Sequence, residues 1–129
     1  MNQKFKVAFA TNDGVNIFSH FGRAKYFEVF EIEDKKVLSK VRRDKPDFHS
    51  AAHHHHSHQN QQEHQQRHNM ILSLVEDCNF VVTGGIDYGI YDFLVSKGKQ
   101  PIISSVKSID EALSLLIENK LENHTEKLH

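Results

Sequence analysis

The chain has 129 residues, of which 38% are apolar, and its 16 basic and 17 acidic side chains give a formal net charge of −1. This balance excludes the basic surface that a nucleic-acid partner requires, and without an 18-residue apolar run or a signal segment we expect no membrane partner and a cytoplasmic location. A single cysteine, Cys78, excludes an intrachain disulfide and a four-cysteine zinc or cluster site within one chain.

The first 45 residues are patterned as β-strands. Lys4–Ala10 alternates, is rich in Val and Phe, and ends at the turn Thr11–Gly14, which predicts a first strand. Tyr26–Glu33 and Val37–Arg43 alternate in the same way on either side of a short charged turn. They predict a β-hairpin.

A histidine-rich segment follows the hairpin. Asp47–Asn69 holds eight of the eleven histidines, and within residues 45–69 only Phe48, Ala51 and Ala52 are apolar. We place a flexible insert at about residues 45–62. Imidazole binds Zn, Ni and Fe, so the candidate ligands in the insert are His53, His54, His55, His56 and His58. A solvated linker without a ligand is the alternative, whereas a purification tag would lie at a terminus.

The second half alternates helices with short buried strands. Apolar spacing predicts a helix over Glu63–Glu76, and the short apolar runs Phe80–Thr83 and Pro101–Ser104 predict strands. Asp87 is a candidate cap for a helix through about Lys97, with Ile90, Tyr91, Leu94 and Val95 inward and Gly98 as its stop. The S-x-x-E pattern at Ser108 predicts a last helix with its apolar stripe at Ile109, Ala112, Leu113, Leu116 and Ile117.

This order predicts one α/β domain over residues 1–123, followed by a frayed tail at residues 124–129. A hairpin followed by two right-handed crossovers gives a mixed five-stranded sheet in the order 3-2-1-4-5. Strand 2 is antiparallel and helices cover the faces. Ligands of such sheets bind beyond the carboxyl ends of the parallel strands, where the first loop and the turn after the fourth strand meet.

The loops at that edge contain candidate binding residues. The first loop carries Asn12, His20 and Arg23, and the fourth strand ends at Gly84-Gly85. Backbone N–H groups of such glycines can hold an anion, although a tight turn before a helix explains them equally well. His20 is the histidine outside the insert that lies in this predicted site, and a loop histidine without a ligand role is the alternative.

Two further histidines are predicted to face the same edge. His64 and His68 stand four residues apart on the stripe of Ile71 and Val75, a chelate spacing on a helix. Because that helix runs antiparallel to the next strand, its start lies at the edge that carries His20. We therefore predict that the three histidines meet. Cys78 precedes the fourth strand, at the opposite end of the sheet, and is better explained as a structural or surface residue than as a ligand.

Four separated segments resemble one known family. They read KVAFATNDG, IFSHFGRAKYFEVFEIE, DCNFVVTGGIDYGIYDFL and KSIDEAL. They are similar, in this order, to the dinitrogenase iron-molybdenum cofactor-binding family over about residues 4–121. The resemblance implies a ribonuclease-H-like fold and an iron–sulfur or iron-molybdenum type cofactor or precursor, held during cofactor assembly. It implies His20, within Ser19–Gly22, as a ligand and cofactor-assembly proteins as partners.

Three functions follow as hypotheses. The first is non-enzymatic carriage of a metal cofactor, which suits a chain with one cysteine because a preassembled cofactor brings its own sulfides. The second is buffering or storage of a divalent metal by the histidine-rich segment. The third is a nucleotide- or phosphate-binding module that uses Asn12–Gly14 and Gly84-Gly85. Two-metal hydrolysis needs carboxylates on the central strands, and Lys4–Ala10 contains none.

Overall fold

A computed structural model of the protein describes residues 4–45 and 60–128, with the side chains of residues 60–65 left out. The predicted ligands between His53 and His58 therefore lie outside the described residues. The strands are β1 Lys4–Thr11, β2 Tyr26–Glu33, β3 Lys36–Asp44, β4 Phe80–Thr83 and β5 Gln100–Ile103. The α-helices are α1 Asn60–Val75, α2 Tyr88–Ser96 and α3 Ile109–Ile117, and short 3₁₀ turns occupy Phe21–Arg23 and Thr125–Lys127.

The five strands form one mixed sheet in the order β3-β2-β1-β4-β5, which confirms the predicted topology. β1 pairs antiparallel with β2 from Lys4 opposite Glu33 to Thr11 opposite Tyr26, and parallel with β4. β4 in turn pairs parallel with β5. The carboxyl ends of β1, β4 and β5 thus share one edge, and the loop after β1 leaves the sheet beside the turn after β4.

Helices cover both faces of the sheet and enclose two apolar cores. On one face, α1 and α2 insert Ile71, Val75, Ile90 and Leu94 against Ala8, Ala10, Phe27, Val29 and Val81. On the other face, α3 inserts Ile109, Ala112 and Leu113 against Val7, Phe9, Phe30, Ile32 and Val82. The alternation of β1 produces this division, because successive side chains of a strand point to opposite faces.

The helix boundaries largely follow local sequence signals, with some corrections. Ser108 and Asp87 cap α3 and α2 by accepting the N–H of Glu111 and Ile90. α1 begins at Asn60, inside the segment predicted to be a flexible insert, because Gln, Glu and Arg are good helix formers. Val95 is 47% exposed rather than inward, since α2 contacts the sheet through the narrower pair of Ile90 and Leu94.

The tail is not frayed, contrary to the expectation from its polar sequence. The Asn123 side chain accepts the N–H of Ile103 at 2.9 Å and donates to the carbonyl of Pro101 at 3.2 Å. The N–H of His124 donates to the carbonyl of Ile103 at 2.8 Å, and Leu128 packs against the first core. The tail is ordered because it satisfies backbone groups on the outer edge of β5.

None of the described helices is long and apolar enough to span a lipid bilayer.

An ion-pair network joins β1 and β3 to the end of α1. Arg43 on β3 binds both oxygens of Asp77, at 2.6 and 2.8 Å, and also donates to the carbonyl of Leu74 in α1. Lys6 on β1 donates to Asp77 at 2.9 Å. Arg43 first and Lys6 second hold the pKa of the Asp77 carboxyl well below its usual range. The network therefore joins two strands and a helix before β4 begins.

We expect Asp77→Asn to make the free energy of unfolding depend less on pH at acid pH. The carboxylate's contribution is fully present above its unfolded pKa of about 4 and is lost as pH falls through the lower folded pKa. At pH 7 the variant should lose about 1 to 2 kcal/mol, a modest value because the pair is partly exposed. Denaturant unfolding at pH 7, 4 and 2.5 measures this. Asp44→Asn, which removes an exposed ion pair, is the control. If Asp77→Asn and wild type lose stability equally at acid pH, the role assigned to the Asp77 carboxylate is refuted.

Candidate functional site

The first part of the loop after β1 is closed by its own polar groups. Asp13 accepts the N–H groups of Val15 and Asn16 at 2.9 and 2.8 Å, and these bonds, Asn16 before Val15, lower the pKa of its carboxyl to about 2. The hydroxyl of Thr11 accepts the N–H of Gly14 at 3.0 Å. Gly14 has a positive φ of 77°, and a Cβ there would lie 3.0 Å from the hydroxyl of Tyr26, which explains the glycine.

Asn12, predicted as a cofactor-binding residue, has a structural contact instead. Its side-chain oxygen accepts the N–H of Lys25 at 2.8 Å. This bond joins the end of β1 to the residue just before β2. The loop between them, which contains His20, is thereby closed at its base.

His20 lies at the start of the 3₁₀ turn Phe21–Arg23. Its imidazole is exposed, and the ring centroid lies 5.7 Å from that of Phe18 in an edge-on contact. Its carbonyl accepts the N–H of Arg23 at 3.0 Å. The side chain of Arg23 is exposed as well. The turn thus fixes the main chain of His20 while its side chain stays exposed, which is what a ligand for an external group needs.

Gly84 and Gly85 hold the His20 loop in place. The N–H of Gly84 donates to the carbonyl of Phe18, and the N–H of Phe21 donates to the carbonyl of Gly85, both at 2.9 Å. The N–H of Gly85 is directed to the hydroxyl of Thr83 at 3.4 Å. These N–H groups are therefore used within the protein. The hypothesis that they and the Asn12–Gly14 turn bind a phosphate loses its geometric basis.

The close approach at Gly84 predicts a sharp difference between two glycines. A Cβ on Gly84 would lie 3.1 Å from Cα of Ser19 and 3.2 Å from the carbonyl oxygen of Phe18, whereas one on Gly22 would meet nothing within 4 Å. Gly84→Ala should cost about 1 to 3 kcal/mol because it pushes backbone from backbone. Gly22→Ala, the matched control in the loop that Gly84 contacts, should stay within about 0.5 kcal/mol. Chemical denaturation measures both, and equal stabilities would contradict the close approach.

The predicted convergence of three histidines is supported in only one part. His68 is half-buried and its ring centroid lies 4.9 Å from that of Phe93 in α2, so it does lie on the inward stripe of α1. The side chain of His64 is outside the described residues. Among the side chains that the structure describes, no group of three or more His, Cys, Asp or Glu residues is placed to hold a metal ion. The triad of His20, His64 and His68 stays a prediction.

Cys78 is buried in the first core, only 1% exposed, at the end of the sheet opposite His20. Burial raises the pKa of its thiol to about 11, and the neighbouring Asp77 adds to the shift. The thiolate that metals and electrophiles require is therefore disfavoured.

We expect the Cys78 thiol to be protected from reagents in the folded protein. A pKa near 11 leaves so little thiolate at pH 8 that reaction with a disulfide reagent should be about a hundredfold slower than for a free cysteine. The rate of thiolate release from that reagent measures this directly, since the chain has one cysteine. Protein unfolded in guanidinium is the control. Equal rates in folded and unfolded protein would show that the thiol is accessible.

Lys45, which the sequence reasoning did not single out, also belongs to the site. Its ammonium donates to the carbonyl of Phe21 at 2.7 Å, and the side chain is half-buried. Burial lowers the pKa of this amine to about 8. A lysine at the end of an edge strand has no sequence signal for such a role, because its partner is 24 residues away along the chain.

The fold and the site define a class of protein: a small α/β domain that presents a loop histidine at the carboxyl edge of a mixed sheet. The sequence matches the model of the dinitrogenase iron-molybdenum cofactor family over residues 3–119, and the chain belongs to this family. This confirms the resemblance found in the separated motifs. None of the curated proteins matches the sequence.

Solved structures from several organisms have the same fold. A protein of Methanocaldococcus jannaschii provisionally named a dinitrogenase is 21% identical with a TM-score of 0.66, covering 93% of this chain and 94% of that one. A Thermotoga protein provisionally named NifB is 17% identical with a TM-score of 0.63, covering 94% of both chains. The apo form of the orange protein from Desulfovibrio gigas is 14% identical with a TM-score of 0.62, covering 92% and 91%. These similarities show the fold, and the ribonuclease-H-like designation stays a prediction.

Proposed function

We propose that this domain binds a preassembled iron–sulfur or iron-molybdenum type cofactor, or a precursor of one, without catalysing a reaction. The observation that carries the proposal is the exposed imidazole of His20 on a turn held by two backbone hydrogen bonds to Gly84 and Gly85. Membership of the cofactor family supports the choice of ligand.

The donor set suits a cofactor better than a bare ion. A zinc or iron ion bound by protein alone needs three or four convergent ligands, and the described side chains contain no such group. A metal–sulfide cofactor brings its own sulfides and needs only one or two protein ligands. His20 can supply such a ligand through a ring nitrogen.

The charges around the turn suit an anionic ligand. Arg23 lies on the turn itself, Lys25 follows it, and the ammonium of Lys45 contacts its first carbonyl. Metal–sulfide cofactors carry negative charge, which cations at short range stabilise. The residues that would hold the cofactor are therefore His20 as ligand and these cations as its electrostatic complement.

The absence of carboxylates from β1 also fits a binding role. The central strand contains no carboxylate, whereas metal-assisted hydrolysis requires such groups beside the substrate. A domain that binds a cofactor without turnover passes it on, so we propose that its partners are the proteins that make and receive the cofactor.

We expect His20→Ala to weaken cofactor binding by tenfold or more while leaving the melting temperature unchanged, because the exposed ring contributes little burial. Anaerobic titration with ferrous iron and sulfide, followed by absorption spectroscopy, measures binding, and calorimetry measures stability. His124→Ala is the control, since that ring contacts Glu126 in the tail. Wild-type binding by His20→Ala would show that His20 is only a loop residue.

Anaerobic purification followed by iron, molybdenum and sulfide analysis tests the proposal as a whole. Bound iron with matching sulfide supports a cofactor carrier. Metal without sulfide would contradict the proposal and favour divalent-metal binding by the histidine-rich segment. Retained nucleotide or phosphate would contradict it as well.

A further inference from the structure

We propose that Lys45 is the positioning residue of the candidate site, because its side chain fixes the turn that presents His20. The structural part of this inference is independent of the ligand. Its consequence for binding rests on the proposed function.

The side chain of Lys45 contacts the turn at its first residue. Its ammonium donates to the carbonyl of Phe21 at 2.7 Å and lies 5.3 and 5.9 Å from the ring centroids of Phe21 and Phe27. The carbonyl of Phe21 also accepts the N–H of Ala24 at 3.3 Å, the bond that closes the turn. One ammonium thus holds both the main chain and the ring of the residue that follows His20.

The main chain of Lys45 is itself fixed to the base of the loop. Its N–H donates to the carbonyl of Lys25 at 3.0 Å, and the N–H of Lys25 donates to the side chain of Asn12 at 2.8 Å. These bonds form a continuous path from the end of β1, across the loop, to the end of β3. Lys45 therefore reaches the turn from a backbone position that is hydrogen-bonded to the base of the loop.

Keeping this ammonium half-buried has a desolvation cost. Burial lowers the pKa of the Lys45 amine from 10.5 to about 8, although an amine with this pKa is still mostly protonated at pH 7. A lysine that merely covered apolar surface would extend its ammonium into water instead. The Lys45 ammonium is held half-buried against a carbonyl and two aromatic rings. We infer that local order of the turn offsets its desolvation.

The position of Lys45 has a consequence for binding. A cofactor held by His20 would lie near the ammonium that Lys45 places against the carbonyl of Phe21.

The test compares Lys45→Met, which keeps the length and apolar contacts of the side chain, with Lys25→Met, an exposed lysine of the same loop. Hydrogen exchange of the Arg23 and Ala24 amides, resolved by NMR, reports the order of the turn. We expect exchange at least about tenfold faster in Lys45→Met, because the variant loses one charge-assisted hydrogen bond. Exchange in Lys25→Met should be unchanged. The melting temperature of Lys45→Met should equal or exceed that of wild type, and Lys45→Arg should restore part of the slow exchange.

Two results would overturn the inference without reference to any ligand. One is unchanged exchange of the turn in Lys45→Met. The other is a melting temperature well below that of wild type, or failure to fold, because either would show that Lys45 serves folding rather than the turn.

Tetrathiomolybdate, a metal–sulfide dianion, tests the consequence for binding. Compared with wild type, Lys45→Met should lose more affinity for the dianion than Lys25→Met does. Equal losses of affinity would show that Lys45 contributes only its charge, and would overturn its positioning role in binding. If wild type does not bind the dianion, the proposed function fails. The exchange measurements then still decide whether Lys45 positions the turn.

Discussion

The candidate site depends on two backbone hydrogen bonds, from Gly84 to Phe18 and from Phe21 to Gly85. They attach the loop after β1, an irregular segment, to the end of β4. The bonds require main chain to approach main chain within about van der Waals distance, and only glycine at position 84 permits this. The 3₁₀ turn, the exposed side chain of His20 and the contact of Lys45 with Phe21 all lie in the segment that these bonds attach.

Two groups of charges are used differently in this domain. Between α1 and β4, Asp77 is bound by Arg43 and Lys6, so the charges neutralise one another and stabilise the junction of β1, β3 and α1. At the carboxyl end, the exposed imidazole of His20 lies beside Arg23 and Lys25, and Lys45 pays a desolvation cost to remain nearby. The first arrangement is suited to stability. The second leaves a ligand and positive charge available to an external anion, which is the basis of the proposed binding of a metal–sulfide cofactor.

Much of the fold could be predicted because its signals are local. The alternation of Lys4–Ala10 and the caps at Asp87 and Ser108 concern neighbouring residues, and the handedness of crossovers then orders the strands. The exposure of Val95 and the docking of Asn123 on β5 were not predictable in this way, since each depends on how closely another element approaches. Within the site, the sequence indicated His20 and the glycines but left the role of the glycines open between an anion site and a tight turn. The structure shows that the N–H of Gly84 is bonded to Phe18.

The sequence by itself determined the sheet order, the family and the position of His20 in the loop at the carboxyl edge. These follow from periodicity, turn chemistry and separated motifs, which depend on residues close together in the chain. Only the tertiary structure decided that Gly84 holds that loop, that Asn12 closes its base and that Lys45 contacts the turn. Those contacts join residues 13 to 66 positions apart, and such pairings leave no periodic signal because they depend on the path of the whole chain.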